Sequence, residues 1–251
     1  MNRQAQAAVL LLTGGAILHA GLTDLYLRYV KAGLRPLLLA AGVVLIATAI
    51  ATVWYERRER RTRTTRADPH PKAEAHAQAH AHREPGIAWL MILPLLALVL
   101  VAPPALGSYS AMRTGTALQK QPWGFADLPE GDTVRLSLVD YAGRAAYDHG
   151  RSLDNRRIKT AGFLAMGNDG TPYLVRMALS CCAADAQPVK IGLTGHTPAV
   201  LRPDTWLEVT GTYTEKQTKD PVNEGVIPFL NVTEAKPVAA PRDPYDESWN
   251  G

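Results

Sequence analysis

The sequence is poor in cysteine: it has only two, Cys181 and Cys182, and they are adjacent. Neighbouring cysteines cannot close an ordinary disulfide loop with each other, so this is not a secreted fold held together by disulfides. A glycine-rich phosphate-binding loop is also missing, and no nucleophile–base pair stands out, since Ser180 and Asp185 alone do not form a triad. We therefore predict that the protein is not an enzyme.

The sequence also lacks the basic pattern interleaved with aromatic residues that is typical of nucleic-acid-binding proteins. Most of the basic excess behind its formal net charge of +4 lies in one short stretch, residues 57–66. The arginines of this stretch are Arg57, Arg58, Arg60, Arg61, Arg63 and Arg66. A basic run beside apolar segments indicates membrane orientation, so we expect no nucleic-acid partner.

Charged residues are absent from three long apolar stretches, residues 5–22, 36–55 and 87–106. Each is close to the ~20 residues that a helix needs to cross ~30 Å of hydrocarbon, and a soluble helix of this length would normally show a polar stripe. We predict three transmembrane helices in a lipid bilayer. The first stretch could instead be a cleaved signal peptide, but no clear cleavage site follows it, which favours a retained helix.

The arginine-rich stretch predicts the orientation of these spans. It lies in the loop formed by residues 56–86, which is richer in arginine than the first connecting loop with its Arg28, Lys31 and Arg35. The positive-inside rule places the richer loop in the cytoplasm. The N-terminus is then cytoplasmic, and the domain formed by residues 108–251 is extracytoplasmic in a multi-pass protein of the cell membrane.

Four histidines lie in the predicted cytoplasmic loop, which is rich in alanine, proline and charge and has no apolar periodicity. They are His70, His76, His80 and His82. Neutral imidazole is a good ligand for zinc, copper and nickel, and the spacing of His76 and His80 would put both on one helical face. The segment is either a weak metal-binding loop or a low-complexity linker whose histidines have no role.

The second half of the sequence is predicted to be all-β. Alternating apolar runs separated by Gly, Pro, Asn and Asp indicate six candidate strands. They cover residues 133–141, 158–166, 173–180, 189–193, 206–213 and 226–232. The fifth, WLEVTGTY, is typical of a barrel strand interrupted by glycine, and helical signal is weak except around residues 144–153. This number of strands predicts a small barrel or a sandwich, of which we favour a five-stranded OB-like barrel, with the tail packing Tyr245 or Trp249 against it.

The chemical centre of this domain is the string LVRMALSCCAADAQPV, in which a predicted strand leads into Cys181 and Cys182 and then Asp185. The two thiolates could serve as soft metal ligands, with Asp185 adding a hard ligand or orienting one. They could also form a strained vicinal disulfide that acts as a redox element. Alternatively, both cysteines could be small buried hydrophobic residues, although at least one is expected to be exposed at this polar turn.

Several segments together resemble the bacterial YcgQ-like family of membrane proteins, which are described as permease subunits. The resemblance rests on HAGLTDLYLRYVKAGLRPLLLAAG, on VAPPALGSY, and on GFL…YLVRMALSCCAADAQPV…WLEVTGTY…DPYD. It implies a larger, multi-span permease subunit as partner, and zinc or another transition metal as the species handled. If the family's motif has a chemical role, that role falls on Cys181, Cys182 and Asp185.

These observations lead to three hypotheses from different classes. The first is a non-enzymatic accessory subunit of a membrane transport system, with the cysteine pair as outer metal ligands and the histidine loop as a cytoplasmic capture site. The second is an envelope thiol-redox protein. The third is a structural membrane anchor that carries an interaction barrel, and it predicts that both cysteines are buried.

Overall fold

The computed structural model describes residues 3–65, 92–101, 103–118, 124–198 and 202–245. The chain divides into two compact units. The first comprises Met1–Tyr26 and Gly33–Pro103, and the second comprises Leu27–Ala32 and Pro104–Gly251. The short segment Leu27–Ala32 therefore folds with the C-terminal part of the chain, although it lies in sequence between the first two helices.

The first unit is a helical hairpin of α1 (Arg3–Leu22) and α2 (Arg35–Thr65), followed by the helix α3 (Ile92–Val101). Glycine allows the two hairpin helices to approach closely. A Cβ atom added to Gly14 would lie 2.8 Å from a side-chain carbon of Ile46 and 3.0 Å from the carbonyl oxygen of Gly42. Small residues are favoured where apolar helices pack backbone against backbone.

Two helical segments are long and apolar enough to cross a membrane, judged by length and composition. They are Gln4–Leu22, with a mean hydropathy of 1.6, and Ala32–Glu59, with a mean hydropathy of 2.4. A signal sequence near the N-terminus would meet the same criterion. Only 22% and 11%, respectively, of an apolar 18-residue window in these segments is buried within the structure, so neither window is enclosed by protein as a core helix would be.

The third predicted span, residues 87–106, is described only in part. The helix α3 is described over Ile92–Val101, and the described residues 103–107 are not helical. The non-helical residues 103–107 agree with a helix that ends near the exit of this span. The cause is the Pro103–Pro104 pair, because proline lacks an amide hydrogen and disfavours a helical conformation in the residue before it.

The second unit contains six strands. They are β1 (Thr133–Arg135), β2 (Arg157–Met166), β3 (Pro172–Ala178), β4 (Gln187–Gly195), β5 (Trp206–Lys219) and β6 (Val226–Pro237). Antiparallel pairing joins β2 to β3, β3 to β4, β6 to β5 and β5 back to β2, whereas β4 and β6 pair in parallel. These five strands close into a barrel, as predicted, and β1 adds to the start of β2 in parallel.

The first predicted strand is wrong over most of its length. Strand β1 ends at Arg135, and α5 (Leu138–Tyr147) follows instead. The side chain of Ser137 caps this helix by accepting the amide hydrogen of Asp140 at 3.0 Å. The apolar residues that face the barrel recur at helical spacing and are Leu138, Tyr141, Ala142 and Ala145. The helical signal around residues 144–153 is confirmed in part, because it covers the last residues of α5 and the short 3-10 helix Arg151–Leu153.

The barrel interior is filled by buried side chains from every closing strand and from α5. Its members include Ile158, Leu164, Leu174, Ile191, Val209 and Leu230. The hydroxyl of Tyr141 donates a 2.7 Å hydrogen bond to the carbonyl oxygen of Phe229, which fixes α5 to β6. Burial raises the pKa of Tyr141 well above its usual value, so this hydroxyl remains a donor.

A second apolar cluster covers the outer face of the barrel. It joins β2 and β3 to residues 104–118, which we name the strap and which include the short helix α4 (Ser108–Arg113). Ala111 of the strap packs with Val175 and Met177 of β3. Further along, the amide of Ala117 donates to the carbonyl oxygen of Pro188 at 2.9 Å, so the strap also reaches β4.

Candidate functional site

The candidate site is the turn between β3 and β4, where Asp185 organises the backbone around the two cysteines. One carboxylate oxygen of Asp185 accepts the amide hydrogen of Ser180 at 2.9 Å, and the other accepts that of Cys181 at 2.8 Å. The side chain of Cys182 in turn accepts the amide hydrogen of Asp185. Strand β3 therefore ends at Ala178, two residues before the predicted end, because the carboxylate takes over these amides.

The three side chains that the sequence singled out come together in this turn. The two sulfur atoms and one carboxylate oxygen of Asp185 all lie within 4.8 Å of one another. Cys181 is exposed, whereas Cys182 and Asp185 are partly exposed. Because a zinc–sulfur bond is about 2.3 Å long, atoms this close can reach one ion. Three protein ligands would leave a fourth position open, as in zinc sites that exchange ligands rather than structural ones.

A hydrogen bond from the Cys181 thiol to the Asp185 carboxylate dominates the electrostatics of the turn. The Cys181 thiol is hydrogen-bonded to the Asp185 carboxylate and then to Cys182, which raises the pKa of Cys181 to about 12. The same thiol hydrogen bond, assisted by the backbone amides of the turn, lowers the pKa of Asp185 to about 2. At neutral pH the turn therefore holds a thiol beside a carboxylate, and a bound cation would have to displace the thiol proton.

The segment Leu27–Ala32 forms one wall of this turn, which the sequence did not predict. Val30 pairs with Cys182 in an isolated antiparallel bridge. The amide of Lys31 donates to the carbonyl oxygen of Cys181 at 3.0 Å, and the amide of Ala183 donates to that of Tyr29 at 2.7 Å. The only sequence signal is the β-prone Tyr29–Val30 pair in an otherwise short interhelical connection.

Tyr245 ties three distant segments together beside the turn. Its hydroxyl donates to the carbonyl oxygen of Arg28 at 2.9 Å and accepts the amide hydrogen of Leu106 at 3.0 Å. The ring packs on the second apolar cluster, so the prediction that Tyr245 packs against the barrel is confirmed, whereas Trp249 lies outside the described residues. Tyr245 thereby fixes Leu27–Ala32 to the strap.

The predicted histidine site falls outside the part of the chain that the structure describes. This applies to all four residues, His70, His76, His80 and His82. Among the described residues, the only group of three or more His, Cys, Asp or Glu side chains close enough to hold a metal ion is the cluster of Cys181, Cys182 and Asp185.

Comparison with known proteins identifies a domain in the second unit. A DUF1980 C-terminal domain is found at residues 142–246. This range contains the five strands that close the barrel and all three residues of the candidate site. No curated protein and no solved structure matches the chain. The domain match by itself gives no information about a permease partner, a substrate or a metal.

Proposed function

We propose that the protein is a non-enzymatic accessory subunit of a membrane transport system for zinc or another transition metal. Its barrel would bind the ion at Cys181, Cys182 and Asp185 and relay it. The observation that carries this proposal is the convergence of two sulfur atoms and a carboxylate oxygen within 4.8 Å at an exposed turn. An exposed site with an open coordination position suits an ion that must be passed on rather than retained.

The same geometry favours metal binding over thiol redox chemistry, which is the alternative. Thiol–disulfide exchange needs a thiolate as the attacking group, and the carboxylate of Asp185 disfavours a second negative charge beside it. A divalent cation reverses this balance, because it attracts the carboxylate and both thiolates together. The structural-anchor hypothesis required two buried cysteines, and neither Cys181 nor Cys182 is buried.

The connectivity of the chain supports the three membrane spans of this proposal. If α1 and α2 both cross the bilayer, Leu27–Ala32 emerges on the side opposite to the N-terminus. That segment folds with Pro104–Gly251, so the barrel must lie on the same side. The chain then has to cross once more before Pro104, which supports the third apolar stretch as a span. The arginine-rich end of α2 supports an orientation in which the barrel lies outside the cytoplasm.

The barrel topology agrees with an OB-like fold that does not use its usual ligand face. Numbering only the barrel strands, the first pairs with the second and fourth, and the third pairs with the second and fifth. OB folds bind oligonucleotides on the face of strands two and three, which here are β3 and β4. The strap covers this face, which supports our expectation that nucleic acid is not a partner.

The proposed partner is a larger, multi-span permease subunit, and the support for it is the YcgQ-like resemblance. In this scheme the loop with His70, His76, His80 and His82 would capture the ion on the cytoplasmic side. Purification of the tagged chain from membranes in a mild detergent should recover a multi-span permease. Recovery of the chain alone, or with soluble redox proteins only, would contradict the transport assignment.

The metal site is tested by zinc binding to the full-length chain in detergent, measured by competition with a chromophoric chelator. Cys181→Ser, Cys182→Ser and Asp185→Asn should each weaken binding by at least about tenfold, the lower end of the loss known for outer-shell partners of metal sites. Asp169→Asn is the matched control, because Asp169 is an acid of another exposed turn. Equal zinc affinity in the wild-type chain and all variants would contradict a metal site at these three residues.

The redox alternative is tested on the same preparation by thiol trapping under oxidising and reducing conditions. The proposal expects both thiols to remain reduced and fully trapped across a mild oxidising range. A reversible loss of both trapped thiols within that range would favour the vicinal disulfide and the redox function.

Topology is tested with single cysteines in a Cys181→Ser/Cys182→Ser background. An impermeant maleimide added to intact cells should label Asn168→Cys, which lies in the β2–β3 turn, and should label Thr62→Cys only after permeabilisation. Labelling of both sites, or of Thr62→Cys alone, in intact cells would contradict the three-span arrangement.

A further inference from the structure

The turn that carries the candidate metal ligands is held from one side by the chain that links the two apolar helices. Two backbone hydrogen bonds, Lys31 to Cys181 and Ala183 to Tyr29, flank the cysteine pair. Val30 pairs with Cys182 between them. The backbone of both ligand cysteines is thus fixed by residues about 150 positions earlier in the sequence, and the site is incomplete in the barrel strands alone.

This connection is short at both ends. Four residues separate Leu27–Ala32 from the end of α1, and two separate it from the start of α2. A docked segment therefore limits where the ends of α1 and α2 can lie, whereas a released segment would not. A further anchor is the hydroxyl of Tyr245, which donates to the carbonyl oxygen of Arg28, and Leu27 is itself buried.

We infer that Leu27–Ala32 is a switch segment, whose docking against the Cys181–Cys182 turn and the loading of that turn with metal stabilise each other. The inference rests on the proposed function and adds a regulatory step to it. Binding one ion with both sulfurs and Asp185 requires the backbone geometry that the switch segment supports. By thermodynamic linkage, an ion that binds the docked form more tightly must also favour docking.

As a consequence, metal binding at the barrel turn is coupled to the helical hairpin. With the turn loaded, the switch segment is held and the ends of α1 and α2 are restrained. With the turn empty, the contacts that hold the segment, among them its backbone hydrogen bonds and the hydroxyl of Tyr245, lack the contribution of the ion. A permease that contacts the hairpin can therefore distinguish a loaded subunit from an empty one without contacting the ion.

The decisive pair of variants is Lys31→Pro and Lys31→Ala in the full-length chain. Proline removes the amide hydrogen that bonds Cys181, whereas alanine keeps it, and both remove the same side chain. Residue 30 already pairs as a strand, which is the conformation that a following proline favours. We expect zinc binding by Lys31→Pro to be at least about fivefold weaker than that by Lys31→Ala, the lower end of ordinary coupling between sites.

A second pair of variants, with milder substitutions, tests the inference even if the proline variant misfolds. Tyr245→Phe removes the hydroxyl that holds Arg28, and Tyr147→Phe removes a hydroxyl that bonds Leu118 elsewhere in the unit. Tyr245→Phe should weaken zinc binding measurably, and Tyr147→Phe should not.

Hydrogen exchange supplies the reciprocal measurement. Saturating zinc should slow exchange of the amides in residues 27–32 of the wild-type chain, and this protection should be absent in Asp185→Asn. If the wild-type chain binds zinc but the Lys31 variants have equal affinities and zinc leaves exchange unchanged, the switch is wrong and the metal site stands. If the wild-type chain shows no saturable zinc binding, both the proposed function and the switch are overturned.

Discussion

The ammonium group of Lys190 lies 2.8 Å from a carboxylate oxygen of Asp220, and both side chains are almost completely shielded from solvent. The same carboxylate oxygen accepts the amide hydrogen of Thr116 at 2.9 Å, and the ammonium also donates to the carbonyl oxygen of Thr114 at 2.8 Å. This buried ion pair joins β4 and the end of β5 to the strap. It therefore secures the chain that leads from α3 into the barrel.

Replacement of Lys190 by methionine should destabilise the second unit strongly. The substitution keeps the apolar stem but leaves the Asp220 carboxylate buried without its cation, and breaking such a pair typically costs about 3–5 kcal/mol. The free energy of unfolding in urea, followed by tryptophan fluorescence of the full-length chain, measures the effect. Lys236→Met is the control, because Lys236 and its partner Glu234 are exposed. A loss no larger than that of the control would contradict the structural role of the pair.

The reactivity of Cys181 should be low at pH 8 and should depend on Asp185. In a Cys182→Ser background, the rate of iodoacetamide alkylation reports the thiolate of Cys181 alone. The hydrogen bond to Asp185 is the largest cause, ahead of Cys182, of the raised pKa of this thiol, and it remains in this background, so the rate should still be rising above pH 9. Asp185→Asn should lower the pKa and increase the rate at pH 8, whereas Asp169→Asn should leave it unchanged.

The direction of each pKa shift determines how the stability of the turn changes with pH. The raised pKa of Cys181 means that the thiol–carboxylate hydrogen bond stabilises the turn below pH 9 and is lost as the pH rises towards 12. The lowered pKa of Asp185 means that its contribution is present above pH 3.8 and is lost as the pH falls towards 2. An alkylation rate that reaches its plateau near pH 9 would exclude the hydrogen bond.

Two adjacent glycines of α1 provide a test of the helical hairpin. A Cβ atom added to Gly14 would press on Ile46 and on the backbone of Gly42, whereas one added to Gly15 would meet nothing within 4 Å. Gly14→Val should therefore cost about 1–3 kcal/mol through overpacking, and Gly15→Val should cost clearly less. Unfolding of the chain by increasing SDS in mixed micelles, followed by circular dichroism, compares them. Equal losses would contradict the close approach of α1 and α2.

The barrel could be predicted because its strands follow simple periodic patterns. Alternation of apolar residues located β2 to β6 to within a few residues at most ends, and the glycine of WLEVTGTY lies in a long barrel strand. The strand prediction is wrong for residues 136–141, because Leu138 and Tyr141 are compatible with both a strand and a helix. The N-cap at Ser137 favours the helix. The stability of this helix also depends on its packing against the barrel, and a local sequence pattern gives no information about that packing.

The candidate site could be predicted only as far as its local motif. The roles of Cys181, Cys182 and Asp185 depend on residues within one turn, and the sequence placed all three together. The wall formed by Val30 and Lys31 depends on pairing across about 150 residues. A single antiparallel bridge of this kind has no periodic signature, so only the tertiary structure reveals it.

Gly211 marks the point where β5 stops pairing with β2 and continues with β6 alone. The register of β5 against β6 shifts between Thr210 and Gly211, and a Cβ atom at Gly211 would overlap the carbonyl oxygen of Asn231 and lie 2.9 Å from Leu230. Because a backbone atom cannot rotate away, Gly211→Ala should cost about 1–3 kcal/mol, measured by urea unfolding. Gly33→Ala, whose new methyl would meet open space, should cost less. Equal stabilities would show that β5 can relax at this bulge, and that barrel closure does not require glycine there.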